Sequence, residues 1–206
     1  SCGSDVGRWS FADVGARRST AHQRRAVDVN LTDAKKLADA FVAELQPACE
    51  RIEIAGSIRR CKPVVGDLDI VAISKTREVA DGMFDKKSSL LVDDVLQSLS
   101  RDGRILMELN GQKIKRGAFL TGYGRGFKFD LYLATDETWA TLLLIRTGSK
   151  EHNIRLCKIA QAKGGKLHAD GSGVRDDVGD LFQCETEADV FKALGVDYVD
   201  PTRREC

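Results

Sequence analysis

Two segments with alternating polar and apolar residues place strong limits on how this chain can fold. "DLDIVAIS", residues 67–74, and "FKFDLYLA", residues 127–134, both have the period of two that is typical of a β-strand. In the first segment Asp67 and Asp69 share one face, while Leu68 lies on the opposite face. The chain is therefore expected to build a sheet with apolar side chains on one face and acidic side chains on the other.

The second segment carries a further aspartate. Its apolar positions share one face, and the opposite face holds Lys128, Asp130 and Tyr132. Two carboxylates on one pleat lie about 7 Å apart along the strand and repel each other unless a cation lies between them. Mg²⁺ fits this role, because it binds one or two carboxylates together with water and phosphate oxygens. We therefore predict that Asp67, Asp69 and Asp130 hold two Mg²⁺ ions, which Mn²⁺ can replace.

The residues in front of the first aspartates have the chemistry of a phosphate site. The stretch "GSIRRCKPVVG", residues 56–66, begins with Gly56, which lets a backbone approach a ligand closely. Ser57 offers a hydroxyl and an N–H group, and Arg59 and Arg60 offer guanidinium forks that match phosphate oxygens. A phosphate-bearing substrate beside the metal site is the interpretation that joins both features.

The remaining pattern predicts an α/β (α+β) fold with two parts. Helical spacing and caps predict helices at 31–47, 90–100, 136–148, 149–165 and 186–195, and alternation predicts strands at 51–56, 67–74, 104–109, 113–119 and 127–134. We predict an N-terminal arm or partial helix at 1–30, a sheet domain at 31–135, and a smaller, mainly helical domain at 136–206.

Charge is distributed unevenly along the chain. The net charge is only +1, but residues 101–128 and 146–166 each carry +5, whereas residues 167–206 carry −6. Two basic segments opposite an acidic one are suited to a polyanion that runs along one side of the molecule. An unevenly patterned solvated surface would give the same counts, so charge alone leaves both interpretations open.

Composition argues against several classes of protein. The sequence has no apolar run long enough to cross a bilayer and no signal-peptide pattern at its start, so we expect a soluble protein of the cytoplasm or nucleoid, without membrane partners. Six cysteines lie far apart without a C-x-x-C pair, and only three histidines accompany them, so we expect free thiols and no zinc site. We expect a monomer.

The quoted motifs resemble those of a known family. "GSIRRCKPVVGDLD", residues 56–69, is similar to the nucleotidyltransferase signature of the family X DNA polymerases, in which G-S-x-R-R precedes G-D-x-D. "RTGSKEHN", residues 146–153, resembles the T-G-S segment that opens the thumb in that family, and "LGVDYVDPTRRE" is similar to its closing Y-x-x-P-x-x-R segment. The resemblance covers about residues 31–206, and it implies a nucleotidyltransferase palm at 31–135 and a thumb at 136–206.

The resemblance implies a role for each matching residue. The catalytic metal ligands are Asp67, Asp69 and Asp130, the last of which helps to deprotonate the primer 3′-OH. Residues implied to bind the incoming nucleotide are Gly56, Ser57, Arg60, Gly66, Ile145, Arg146, Gly148, Ser149, Lys150 and Asn153. Lys128 matches a position that contacts the primer phosphate, and the basic segment around it adds Lys113, Lys115 and Arg116 as expected DNA-binding residues.

The sequence departs from the family at three places. Many relatives carry an aromatic pair before T-G-S, whereas this chain has Ile145 and Arg146, so we expect weak discrimination between dNTP and rNTP. An arginine that many relatives place after the third aspartate is Tyr132 here, which puts in doubt any conformational switch that uses it. The first 30 residues cannot supply a lyase domain, so we expect a minimal palm-and-thumb form, as in some viral relatives, or part of a longer protein.

These observations favour a metal-dependent, DNA-directed DNA polymerase that adds dNMP to a primer 3′-OH and fills short gaps in DNA repair. The same catalytic parts would serve a template-independent terminal transferase. A DNA-end binding module without activity and a small-molecule adenylyltransferase are further alternatives.

Overall fold

We analysed a computed structural model of the chain, which describes residues 28–81, 85–120 and 125–205. Most of the predicted N-terminal arm, residues 1–30, lies outside the described residues. The helices are α1 (Leu31–Leu45), α2 (Gly56–Arg59), α3 (Leu91–Arg101), α4 (Trp139–Thr147), α5 (Lys150–Ala162) and α6 (Glu187–Ala193). The strands are β1 (Val29–Asn30), β2 (Cys49–Ile54), β3 (Val64–Val65), β4 (Asp67–Ser74), β5 (Thr76–Asp81), β6 (Asp85–Leu90), β7 (Ile105–Asn110), β8 (Ile114–Phe119), β9 (Lys128–Leu133), β10 (Lys166–Leu167) and β11 (Val174–Arg175).

The centre of the first part is a mixed five-stranded sheet with the order β2-β4-β9-β8-β7. Strands β4 and β9 pair in parallel, while the other neighbours in this sheet pair antiparallel. The strands β5 and β6 form a separate two-stranded hairpin. The predicted α/β (α+β) fold class is confirmed.

One face of the sheet forms the main core, as the alternation predicts. Leu68 on β4 and Phe129 on β9 are fully buried, and α1 and α3 cover them. Helix α1 begins at the Asn30 cap, whose side chain accepts a hydrogen bond from the N–H of Asp33. Phe41 of α1 packs against both Phe119 and Phe129, with ring-centroid distances of 5.0 and 4.9 Å, and these two rings also contact each other at 5.5 Å. This aromatic cluster fixes α1 over β8 and β9.

The other face of the sheet has an apolar end and a polar end. At the apolar end, Val71 of β4 and Tyr132 of β9 pack with Trp139, Leu142 and Leu143 of α4. At the polar end, the same two strands begin with the predicted metal ligands. Because α4 covers only the apolar end, the aspartates stay accessible while their strands remain anchored.

The second part has its own core, built by α4, α5, α6 and the short β10–β11 pair. Leu144, Leu156, Val190 and Phe191 are among its buried side chains. Helix α5 begins at the Ser149 cap, and α6 begins with a capping box in which Thr186 and Asp189 hydrogen-bond each other's backbone N–H groups. Helix α4 contributes to both cores, so the predicted division between residues 135 and 136 stays a prediction.

The described part of the chain bears on the predictions about cysteines and membrane spans. Cys49, Cys61, Cys157 and Cys184 are free thiols there, as predicted. None of the helices that the structure describes is long and apolar enough to cross a membrane.

We expect Phe41→Ala to lower the free energy of unfolding by about 3–5 kcal/mol, because it leaves a cavity beside two buried rings. Phe182→Ala is the matched control, since the Phe182 side chain is 40% exposed, and its effect should stay within about 0.5 kcal/mol. Urea denaturation measures both changes. Equal effects of the two substitutions would contradict this account of the core.

We expect acid to destabilise the helical core through His152. Burial, together with the positive charges of Arg204 and Arg155, lowers the pKa of His152 from 6.5 to about 4. The unfolded chain therefore binds a proton that the folded chain rejects, and stability is lost as pH falls from 6.5 towards 4. Urea denaturation at neutral and acid pH measures how much free energy of unfolding is lost on acidification. This loss should be about 2 kcal/mol smaller in His152→Gln than in the wild type. Identical pH profiles would exclude His152 as the cause.

Candidate active site

Parallel pairing of β4 with β9 brings the three predicted carboxylates together. In the strand register Asp69 lies beside Asp130, and Asp67 lies beside Lys128. Paired residues of parallel strands point to the same face, and neighbouring strands lie about 4.8 Å apart. The three aspartates therefore form one cluster at the uncovered end of the sheet.

The cluster lacks enough positive charge to balance its carboxylates. Burial, and after it the negative charges of Asp67 and Asp130, raise the pKa of Asp69 to about 7 against the opposing effects of Arg146 and Arg60. Burial also raises the pKa of Asp67, and the charge of Asp130 adds to this effect. Carboxylates that raise one another's pKa in this way provide a donor set that fits a divalent cation.

Gly56 makes room for the Asp69 carboxylate. Its φ of +60° is in the left-handed region, and a Cβ at this position would collide with the Asp69 carboxylate. The sequence predicted a close approach of Gly56 to a ligand, and the structure has a close approach to Asp69. The glycine therefore lets the first residue of α2 lie directly against the carboxylate cluster.

Asp130 is already engaged by two neighbouring side chains. Arg116 Nε and Nη2 donate to the two carboxylate oxygens of Asp130 at 2.6 and 2.7 Å, and the Tyr132 hydroxyl donates to Oδ2 at 3.0 Å. Within the described ranges, no three acidic, His or Cys side chains are arranged as a complete metal site. The three carboxylates fit divalent cations in chemical type, and Arg116 already contacts the third of them.

The predicted phosphate stretch forms a single helical turn, α2, followed by a loop. Ser57 Oγ is buried, and no described group hydrogen-bonds to it. Arg60 donates from Nε to the Glu205 carboxylate and from Nη1 to the Thr147 carbonyl oxygen, and Lys62 Nζ lies 2.9 Å from the other Glu205 oxygen. Ser57 and Arg60 thus present an unpaired hydroxyl and an anion-binding guanidinium close to Asp69.

Arg59 does not have the phosphate-binding role that the sequence suggested. Its guanidinium forms two hydrogen bonds with the buried Glu187 carboxylate, at 2.8 and 2.7 Å, and a third with Thr147 Oγ1 at 2.8 Å. Arg204, which is fully buried, donates to the same Glu187 at 2.7 Å. That prediction was wrong because Glu187 occupies the fork, so Arg59 cross-links α2 to α6 instead.

A cavity of about 600 Å³ next to Arg60 gathers most of the predicted nucleotide-binding residues. Its lining includes Arg60, Ile145, Arg146, Gly148, Lys150 and Asn153. Gly66 and Ser149 do not line it. Ser149 is buried, caps α5 and donates to the Arg204 carbonyl oxygen at 2.7 Å. The structure therefore places six of the predicted residues in one concave site beside the carboxylate cluster.

Within this cavity several groups have partners that the sequence did not indicate. Asn153 Nδ2 donates to the Ile145 carbonyl oxygen at 2.8 Å, while the Asn153 Oδ1 atom is buried without a described partner. The Arg146 guanidinium stacks on the Tyr132 ring at 4.1 Å, and its Nε is buried without a partner among the described residues. Arg146 therefore links the wall of the cavity to the strand that carries Asp130.

The predicted DNA-binding residues fall into two groups. Lys128 and Lys113 are exposed, whereas Lys115 is 3% exposed and lies 2.6 Å from the Asp93 carboxylate. The Lys115 prediction is corrected, because alternation along β8 turns this side chain to the core face, away from its neighbour Arg116. Strand periodicity would have revealed the separation of these two residues.

Two buried residues at the centre of the cross-link were missed. Glu187 stands in the first turn of α6, where an acidic residue is ordinarily explained by the helix N-terminus. Arg204 belongs to the closing motif, but nothing local shows that it meets Glu187. Only the tertiary packing of α2 against α6 reveals this network.

Comparisons with known proteins agree with the geometry. The family model described as DNA polymerase beta thumb matches residues 142–205. DNA polymerase lambda of Rattus norvegicus is 32% identical over 162 residues, which cover 73% of this chain and 28% of that protein. The DNA polymerase/3'-5' exonuclease PolX of Bacillus subtilis (strain 168) is 25% identical over 152 residues, or 73% of this chain and 24% of that protein.

The chain thus spans about a quarter of the length of these relatives. The thumb match begins within α4, and both relatives share most of the chain. The motifs, the sheet that carries the aspartates and these matches together identify the chain as a member, in partial form, of family X of the DNA polymerases.

Proposed function

We propose that the chain is a metal-dependent nucleotidyltransferase that adds dNMP to the 3′-OH of a DNA primer, as directed by a template, and fills short gaps in DNA repair. The observation that carries this proposal is the strand register that sets Asp69 beside Asp130 and Asp67 on the same face. This cluster adjoins a cavity with anion-binding and hydrogen-bonding groups. The names of the relatives, both DNA polymerases, support the assignment.

The proposed mechanism assigns the three carboxylates to two Mg²⁺ ions. Asp67 and Asp69 would hold both ions, and Asp130 would hold the one that contacts the primer. Bound Mg²⁺ supplies activation of the 3′-oxygen and neutralises the charge that develops on the phosphates. The protein itself mainly positions the reactants and provides fixed charges, so no side chain acts as a covalent nucleophile.

The other side chains would bind the nucleotide and the primer. Ser57 has a free hydroxyl for a phosphate oxygen, and Arg60 would exchange the Glu205 carboxylate for the triphosphate. Lys128 is exposed beside Asp67, where it would bind the primer phosphate. Asn153 would contact the base edge after releasing the Ile145 carbonyl oxygen. DNA is held mainly through backbone charge, which makes its binding dependent on salt.

The test is primer extension on a duplex with a one-nucleotide gap, with Mg²⁺ or Mn²⁺ and each dNTP supplied separately. We expect addition of the templated base alone and a loss of at least about 100-fold in Asp130→Ala, because charges fixed at the reacting groups supply a large part of the barrier reduction. Asp39→Ala is the control, since Asp39 is an exposed carboxylate of α1 outside the site.

Each other outcome selects a different function. Untemplated addition that still depends on Asp130 would indicate a terminal transferase. Binding of gapped DNA without any addition would indicate a DNA-end binding module.

We expect the site to discriminate weakly between dNTP and rNTP. Neither Ile145 nor Arg146 is aromatic. Ile145 is buried in the helical core and Arg146 is held against Tyr132, so this pair presents no ring to the sugar. An added hydroxyl in such a pocket is rejected by no more than about 100-fold. The ratio of kcat/KM for dNTP and rNTP on the gapped duplex measures this, and a preference of many thousand-fold would refute it.

A further inference from the structure

Arg116 and Asp130 form an ion pair within the carboxylate cluster. They lie directly opposite each other in the antiparallel register of β8 and β9. The guanidinium contacts both carboxylate oxygens, which is the strongest geometry available to this pair of groups. The Asp130 side chain is 14% exposed and that of Arg116 is 43% exposed. The pair is therefore largely buried on the Asp130 side and open to solvent on the Arg116 side.

The other two carboxylates of the cluster, Asp67 and Asp69, differ from Asp130 in their charged neighbours. In the described part of the chain neither Asp67 nor Asp69 forms an ion pair with a basic side chain, whereas Asp130 pairs with Arg116. Asp130 alone has an internal counter-ion. The cluster therefore offers two carboxylates to a cation at once, while the third is already bound to a positive charge.

A divalent cation and a guanidinium compete for one carboxylate for two physical reasons. Both need its oxygen lone pairs, and the two positive charges repel each other at contact distance. Mg²⁺ and Mn²⁺ also demand carboxylate oxygens in a defined arrangement, which a bidentate ion pair restricts. The Arg116 fork and the Tyr132 hydroxyl already use three of the about four lone-pair sites of the Asp130 carboxylate, so little room is left for a metal while the ion pair is complete.

We propose that Arg116 is a positioning residue that occupies Asp130 in the metal-free protein and competes with the metal that this carboxylate would hold. The inference rests on the proposed function, because it concerns the same metal site. Loading of the metal onto Asp130 requires the guanidinium to swing away from the carboxylate, towards solvent. The large exposed fraction of Arg116 makes this movement possible without repacking of the sheet.

The test is a titration of metal-free protein with Mn²⁺, in the absence of DNA and nucleotide, with free Mn²⁺ measured by electron paramagnetic resonance. We expect Arg116→Gln to bind Mn²⁺ about tenfold more tightly than the wild type, which is the scale of a charge-assisted hydrogen bond. In an Asp130→Asn background the same substitution should change the affinity little. Arg116→Lys, which keeps the charge but loses the fork, should give an intermediate affinity.

Lys128→Gln is the matched control for net charge. Lys128 lies on the neighbouring position of the same face, beside Asp67, and it makes no ion pair with Asp130 among the described residues. If it tightens Mn²⁺ binding as much as Arg116→Gln does, or if Arg116→Gln has no effect, the inference is overturned. Thermal unfolding of each variant verifies that the fold is retained.

The two proposals fail in different ways. Equal Mn²⁺ affinity in the wild type and Arg116→Gln, together with Asp130-dependent primer extension, overturns only the role of Arg116. Absence of Mn²⁺ binding in every variant overturns the metal-dependent function and the competition together.

Discussion

The parallel pairing of β4 with β9 is the constraint on which the site depends. It sets Asp69 beside Asp130, although the two residues are distant in sequence. The pairing is held from the opposite face, where Leu68 and Phe129 are buried under α1 and α3. Because register in a half-buried strand is fixed by which side chains enter the core, the apolar pattern also fixes the aspartates. The geometry of the site is thus a consequence of packing on the side of the sheet that has no functional groups.

The link between the sheet and the helical part depends on a buried charged network. Glu187 accepts hydrogen bonds from Arg59 of α2 and from Arg204 near the C-terminal end of the described chain. Two guanidinium groups on one carboxylate cost desolvation energy, which good geometry offsets, and removal of one member leaves a buried charge without its partner. The network joins the turn that carries Ser57 and Arg60 to the helices that line the cavity. Its contribution is to orientation more than to net stability.

The sequence predicted those features that depend on local periodicity, and it failed where tertiary contacts decide. Alternation correctly placed Leu68 and Phe129 in the core, but a count of charges grouped Lys115 with Arg116 although the strand turns them to opposite faces. Arg59 and Arg60 look equivalent in sequence, and only the position of Glu187 separates the cross-link from the anion-binding group. The hairpin of β5 and β6 was not predicted, because its largely polar sequence lacks an apolar period.

The electrostatics of the cluster connect these observations. Gly56 lets the turn lie against Asp69, which buries that carboxylate and raises its pKa, and no described cation pairs with it directly. A fold that needed only stability would neutralise such a charge, as Arg116 neutralises Asp130. The chain instead holds two carboxylates unpaired beside an unpaired Ser57 hydroxyl. Under the proposed function, these unsatisfied groups at one end of a well-packed sheet are the ones that bound cations and phosphates would satisfy.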